Sequence, residues 1–375
     1  MQPPFKYSAL TLATREALEQ RARERAQLVR EVRRQFAAKA NARRRFEERY
    51  GFARPPMATK MEDKWIIAIG AWIYKQTKEG DYNFVNALHD HALDFFGTTF
   101  VDQEEAKPVA SRHPAMQWLF MAVERDERLK REGNTDPRAR QTGAGAAWLR
   151  FAYDLYTIAD NSELQAGLRR RLLSGQNWQG ARHELRVAAL CVVAGFDLAF
   201  EDDSDGSRTH PEFIATDKIT GIQVAVEAKS RHRFGVQGFT GGKQVPPGER
   251  VNIRDIVLDG YKKQTPLPLY VFVDVNLPPC DDATSERWME ELETSMKDLS
   301  REGYADPCPA NAVFFTNDPS HYVGDGGIGN RPDRLWIRPF TAEVPRVAHP
   351  TADLVQRFIK AHQQRLAPPA DFVEF

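Results

Sequence analysis

A carboxylate and an ammonium group stand two residues apart at Glu227 and Lys229, within the segment 221–233. Apolar and polar residues alternate through this segment, which predicts a β-strand that presents both side chains at one edge. Such a pair suits the hydrolysis of a phosphodiester. The carboxylate helps to hold a divalent cation, and the lysine orients or deprotonates the attacking water or stabilises the charge that develops on the phosphate.

Two further carboxylates precede this pair. Glu212 follows a proline at the end of the polar turn 202–209 and opens a short hydrophobic strand. Glu184 lies at the edge of the apolar stripe of a predicted helix over 179–194, from which it can reach the sheet and complete a three-carboxylate metal site. The alternative to a metal site is that Glu212 only ends a turn and that Glu184 pairs with a neighbouring arginine.

An acid followed two residues later by lysine is not a specific pattern. With 52 acidic residues and 15 lysines in 375 positions, chance gives about two matches, and the chain has three, at 62–64, 105–107 and 227–229. Only the third match ends a predicted strand and lies about 15 residues after a Pro-acid step, at Glu212. The alternative for Glu227 and Lys229 is a solvated strand end with a surface ion pair.

The predicted elements then follow in a recognisable order. A helix that carries Glu184 leads to the Pro-Glu step at Glu212, to a strand that ends in Glu-Ala-Lys at 227–229, to a helix and to a further strand. This order resembles the core of the PD-(D/E)XK nuclease superfamily, which has the restriction-endonuclease-like fold. The resemblance covers about 160 of the 375 residues. It implies an αβββαβ core and hydrolysis of nucleic acid with Mg²⁺ or Mn²⁺.

The resemblance also implies a role for each matching residue. Glu212 and Glu227 match the two metal-binding acids of the catalytic site, and Lys229 matches the catalytic lysine. Glu184 resembles the helix acid that binds metal in part of the superfamily. Position 212 is a departure, because the family usually has aspartate there and glutamate is one methylene longer.

Basic residues continue directly from the predicted active-site strand. Arg231, His232 and Arg233 lead into a Gly-rich loop, 235–248, that contains Lys243. Such residues can grip the phosphates beside a scissile bond, and glycines let backbone N–H groups approach them. A surface loop with no contact to substrate is the alternative.

The N-terminal segment carries a second concentration of positive charge. Residues 1–60 contain 15 Lys and Arg against 6 Asp and Glu, although the whole chain has no net charge. One long amphipathic helix, or two shorter ones, is predicted over 14–50, with Arg43, Arg44 and Arg45 adjacent. This face can bind nucleic acid without sequence preference. A solvated helix face is the alternative.

Hydrophobic periodicity and Gly/Pro breaks divide the chain into four parts. We predict a basic helical arm at 1–56, an all-helical domain of four to six helices at 57–175, a nuclease-like domain at 176–345, and a C-terminal helix and tail at 346–375. The third part contains short β-type runs and interleaved helices. The predicted fold class is therefore α/β, with a mixed central sheet flanked by helices and preceded by an all-helical region.

The composition suggests a cellular compartment. The three cysteines are far apart and odd in number, which argues against a disulfide framework and a zinc finger. The longest apolar run, at 65–74, is shorter than the roughly 20 residues of a membrane span. We expect a cytoplasmic protein that does not enter the membrane.

These patterns favour a Mg²⁺-dependent nuclease, with DNA preferred over RNA because most families of this fold cleave DNA. With no visible helicase or methyltransferase motif, the organisation suits anti-phage defence or restriction in a bacterium. A second hypothesis is an inactive nuclease fold that binds nucleic acid or scaffolds a partner. A third makes the N-terminal helices a module for a homodimer or a partner protein.

Overall fold

The computed structural model describes residues 7–62, 64–76, 82–134, 141–201, 210–233, 251–304, 307–326, 336–366 and 368–372. These residues form two compact units, divided between Arg49 and Tyr50. The predicted end of the basic arm at residue 56 thus lies a few residues beyond the division.

The first unit consists mainly of one helix, α1 (Tyr7–Tyr50), 44 residues long. Of the two alternatives for this segment, a single helix is observed. No Gly or Pro interrupts it, and every described side chain between residues 20 and 41 is exposed, including the apolar Leu28 and Phe36.

The described strands belong to two sheets in the second unit. An antiparallel sheet contains β1 (Met57–Met61), β2 (Lys64–Ile69) and β3 (Trp72–Lys75). A larger sheet contains β4 (Phe196–Phe200), β5 (Phe213–Asp217), β6 (Gln223–Ser230), β7 (Leu269–Asp274), β8 (Ala312–Asn317) and β9 (Trp336–Thr341), in that spatial order. Strands β6, β7 and β8 are parallel, and the other neighbours are antiparallel. The predicted mixed sheet is confirmed.

Ten described helices follow α1. They are α2 (Phe84–Phe96), α3 (Thr98–Glu105), α4 (Pro114–Arg131), α5 (Gly143–Asn161), α6 (Ala166–Leu173), α7 (Trp178–Val193), α8 (Arg254–Tyr261), α9 (Asp282–Leu299), α10 (Ser320–Val323) and α11 (Thr351–Arg365). Within the described ranges, no helix combines the length and the apolar character needed to cross a membrane.

The prediction of an all-helical segment at 57–175 is wrong for its first part, which forms the three-stranded sheet. The apolar run at 65–74 is split by Gly70, whose φ of 56° makes the tight turn between β2 and β3. Ile67 and Ile69 lie on the same face of β2 and are buried, as alternate residues of a half-buried strand should be. The remainder of the segment is helical.

The large sheet separates two hydrophobic cores. Val224 and Val226 of β6 belong to the core that contains α7, whereas Ala225 belongs to the core that contains Val257 of α8. The first core also includes side chains of α2, α4 and α5, such as Phe151. The predicted boundary between residues 175 and 176 therefore does not separate two compact units.

Candidate active site

Strand β6 places Glu227 and Lys229 side by side. Successive side chains of a strand alternate between the two faces of a sheet, so both residues share the face of Ala225. Glu227 is completely buried, and Lys229 is 23% exposed. The Lys229 Nζ lies 3.0 Å from Glu227 Oε1. The predicted acid and lysine thus form a direct ion pair on the α8 face of the sheet.

Helix α8 and the residues that follow it add two charged groups to this pair. Asp259 Oδ2 lies 2.8 Å from Lys229 Nζ, and Lys263 Nζ lies 3.3 Å from Glu227 Oε1. Neither residue is among the active-site residues predicted from the sequence. The sequence offers one signal, their spacing of four, which places two side chains on one face of a helix, but nothing local shows that this face meets β6.

Glu212 lies across the strand pair from Glu227. Phe213 pairs with Val226, and the Glu212 N–H donates to the Val226 carbonyl at 3.0 Å. Glu212 directly precedes β5, and it lies close enough to the end of β6 for its charge to raise the pKa of Glu227. The sequence prediction that these two carboxylates approach each other agrees with this arrangement.

The charges of the cluster act strongly on each other. Burial, followed by the charge of Glu212, raises the pKa of Glu227 to about 7 against the opposing effect of Lys229 and Lys263. Burial alone would lower the pKa of Lys229, but its ion pairs with Glu227 and Asp259 outweigh burial and raise it. The hydrogen bond from Lys229 lowers the pKa of Asp259. Lys229 is therefore a permanent ammonium near neutral pH.

The two neighbouring glutamates, Glu212 and Glu227, suit a divalent cation. Hard cations such as Mg²⁺ bind carboxylate oxygens, and Glu227 Oε2 is a buried oxygen that accepts no hydrogen bond from the described residues. A cation there would also relieve the repulsion between Glu212 and Glu227. Within the described part of the chain, no group of three or more His, Cys, Asp or Glu side chains is gathered for a metal ion.

The predicted third metal acid, Glu184, lies elsewhere. Helix α7 packs on the face of the sheet opposite to that of Glu227. The Glu184 carboxylate is buried and forms an ion pair of 2.6 Å with Arg171 of α6. The structure therefore does not assemble the three-carboxylate site expected from the sequence. The alternative of a helix acid paired with an arginine is observed, with a different arginine from those nearby in sequence.

The basic residues after β6 have different environments. Arg233 is buried and donates from Nη1 to the Asn276 carbonyl at 3.2 Å, while its backbone exchanges two hydrogen bonds with the Gln179 side chain. This guanidinium is engaged inside the protein and cannot contact a phosphate as predicted. Arg231 is half-buried and His232 is exposed, so for them phosphate binding stays a prediction.

The remaining predicted phosphate ligands lie outside this cluster. On α1, Arg43 pairs with Glu47 at 2.9 Å, and Arg44 donates to Asn41 at 3.0 Å. Both residues and Arg45 are exposed on the helix surface. Lys243 lies outside the described residues.

Two cavities lie away from the cluster. One of about 690 Å³ is bounded by α9 and β9 and includes Arg338. Another of about 760 Å³ lies beside the turn between β2 and β3, with Trp72 and Arg169 among its lining residues. Neither is lined by Glu227 or Lys229. Nucleic acids bind across extended polar surfaces, so a site for them does not require an enclosed cavity.

Comparison of the chain with protein-family models, with curated proteins and with solved structures gave no match. The chemistry of the cluster on β6 and α8 is therefore the basis for assigning a function.

The raised pKa of Glu227 predicts a pH-dependent effect of Glu227→Gln on stability. Because the folded-state pKa is about 7 and the ordinary value is 4.5, the folded wild type holds its proton more tightly than the unfolded chain. The resulting stability is complete below pH 4.5 and is lost as the pH rises through 7. Urea denaturation should show the variant gaining about 3 kcal/mol relative to wild type between pH 4.5 and pH 8. A pH-independent difference would contradict the prediction.

Proposed function

We propose that this protein is a metal-dependent nuclease that hydrolyses phosphodiester bonds of DNA, with Glu212, Glu227 and Lys229 in the active site. The observation that carries the proposal is the ion pair between Glu227 and Lys229 at the end of β6, with the charge of Glu212 close to Glu227. Strong perturbation of pKa values within a group of charged side chains is typical of catalytic sites. The order α7, β4, β5, β6, α8, β7 also agrees with the αβββαβ core that the resemblance implies.

Each residue of the cluster has a different role in the proposed reaction. Glu212 and Glu227 would hold Mg²⁺ or Mn²⁺, which supplies positive charge to the phosphate and activates water. Lys229 is held as an ammonium by Glu227 and Asp259, so it serves to stabilise negative charge and to orient water rather than to remove a proton. Asp259 touches Lys229 and acts as a positioning residue.

Positive charge outside the cluster favours a polyanionic substrate. The described side chains of residues 20–49 include 11 Arg and Lys against 4 Glu. Ammonium and guanidinium groups in such numbers bind phosphates without reading sequence. Arg231 and His232 leave β6 directly beyond Lys229 and supply contacts beside the scissile bond. DNA is the proposed substrate because most families of the resembling superfamily cleave DNA.

A second candidate is a nuclease-like protein that binds nucleic acid or a partner without cleaving it. The observation that favours it is the position of Glu184 on the opposite face of the sheet, paired with Arg171, which leaves the metal site without a third carboxylate. For either candidate, we propose a cytoplasmic role in anti-phage defence or restriction, and a homodimer through α1 would bring two sites to a duplex.

The decisive experiment is a cleavage assay. Purified protein is incubated with plasmid, linear duplex DNA, single-stranded DNA and RNA, each with Mg²⁺, Mn²⁺ or EDTA. We expect cleavage of DNA with either metal and none with EDTA. Salt-sensitive DNA binding without cleavage would favour the second candidate, and cleavage in EDTA would contradict metal dependence.

A further inference from the structure

Lys263 is the second ammonium at Glu227, and its contacts differ from those of Lys229. Its side chain is 18% exposed, and Glu227 Oε1 lies 3.3 Å from its Nζ. Among the described residues, Glu227 is its sole carboxylate partner within ion-pair distance. Lys229, in contrast, has Asp259 as well as Glu227. Within the described ranges, Lys263 thus forms an ion pair with Glu227 and with no other carboxylate.

A completely buried carboxylate needs compensating positive charge. In this structure the compensation comes from two ammonium groups, both of which approach Oε1. A divalent cation on Glu227 would place two further positive charges among them, and like charges at such distances repel strongly. The cation and the two ammonium groups would therefore compete for Glu227.

Lys263 is the group that can leave most easily. When Glu227 binds a cation, Lys229 still has its ion pair with Asp259, so Lys229 stays in position. Lys263 lies two residues beyond the end of α8 at Tyr261, and a lysine ammonium sits on a flexible stem of four carbons. It can therefore turn into solvent.

Building on the proposed function, we propose that Lys263 is a resident counter-cation of Glu227 which a divalent metal ion displaces, so that Lys263 sets the metal affinity of the site. The charge of Lys263 stabilises the protein without metal and weakens metal binding by the same interaction. The site then fills only when the metal concentration is high enough to compete.

Isothermal titration calorimetry with Mn²⁺ at pH 8 tests this role without any cleavage measurement. The full chain is compared with Lys263→Met, and Lys262→Met is the matched control, because Lys262 contacts Asp259 and not Glu227. We expect Lys263→Met to bind Mn²⁺ about 10-fold more tightly, in the range by which groups around metal ligands alter affinity. Lys262→Met should bind like the wild type.

A charge-preserving variant separates competition from damage to the fold. Lys263→Arg keeps the positive charge and should bind Mn²⁺ as weakly as the wild type, whereas a merely structural effect would change both Lys263 variants alike. Equal affinity in the wild type and Lys263→Met would overturn the role of Lys263 and leave the nuclease proposal intact. If no variant binds Mn²⁺, both the competition and the metal-dependent function fail.

Discussion

Lys229→Met should lower the rate of metal-dependent DNA cleavage by about 10²- to 10³-fold. The ammonium of Lys229 lies 3.0 Å from Glu227 and 2.8 Å from Asp259, so it is charged and fixed before any substrate arrives. Preorganised positive charge stabilises a transition state more than a ground state, because no reorganisation is needed when charge develops. The loss should therefore be in the cleavage step, measured with enzyme in excess over plasmid.

The same assay distinguishes loss of catalysis from loss of substrate binding. Lys262→Met removes an equal charge from a mostly exposed side chain next to the site, and it should retain activity within about 2-fold, as expected for a weak surface ion pair. DNA affinity measured in EDTA should be similar for both variants. Full activity of Lys229→Met would show that the cluster is structural and that cleavage arises elsewhere.

Much of the site could be predicted because local patterns determine it. The alternation of side chains in β6 requires Glu227 and Lys229 to share a face. Glu212 directly precedes β5, the antiparallel neighbour of β6, so the pairing of these strands brings that carboxylate near Glu227. These relations depend on neighbouring residues and strand geometry, and both are visible in a single sequence.

The incorrect expectations concern which elements meet in space. Glu184 was assigned to the metal site because it lies beside the apolar stripe of its helix, but that stripe covers the opposite face of the sheet from Glu227. The sequence does not predict Asp259 and Lys263 as site residues, because their relation to β6 depends on which face α8 covers. Whether a helix packs on one face of the sheet or the other changes all of these contacts, and the local hydrophobic periodicity is the same in both cases.

The three-stranded sheet was missed for a different reason. Short apolar runs do not distinguish a strand from a buried helix, and the run at 65–74 contains Ala and Ile in nearly continuous sequence. Gly70 was the informative residue, because its positive φ permits the turn that pairs β2 with β3. The helices predicted before and after this run favoured a helix here as well, and that prediction was wrong.

A network of buried charges lies on the α7 face of the sheet, and sequence patterns gave no sign of it. Arg365 of α11 lies 2.6 and 2.8 Å from the two carboxylate oxygens of Asp154 in α5. Arg150 of α5 contacts Asp318, which follows β8, at 3.1 Å. The C-terminal helix is thus tied by charge to α5 of the second unit.

Arg365→Met should destabilise the protein by about 3–5 kcal/mol. Arg365 is 1% exposed, and Asp154 is also buried, so the variant leaves a carboxylate inside the protein without its main partner. Burial already raises the pKa of Asp154 against the effect of Arg365, and loss of the arginine raises it further. The folded variant should then take up a proton, so the destabilisation should be greater at pH 8 than at pH 5, as measured by urea denaturation.

Two further variants show whether the buried pair causes this effect. Arg338→Met breaks an exposed ion pair with Glu293 and should change the free energy of unfolding by less than about 1 kcal/mol. Adding Asp154→Leu to Arg365→Met removes the unpaired carboxylate, so the double variant should recover stability relative to Arg365→Met alone. If the double variant were no more stable than the single one, packing of the arginine stem rather than its charge would hold α11 in place.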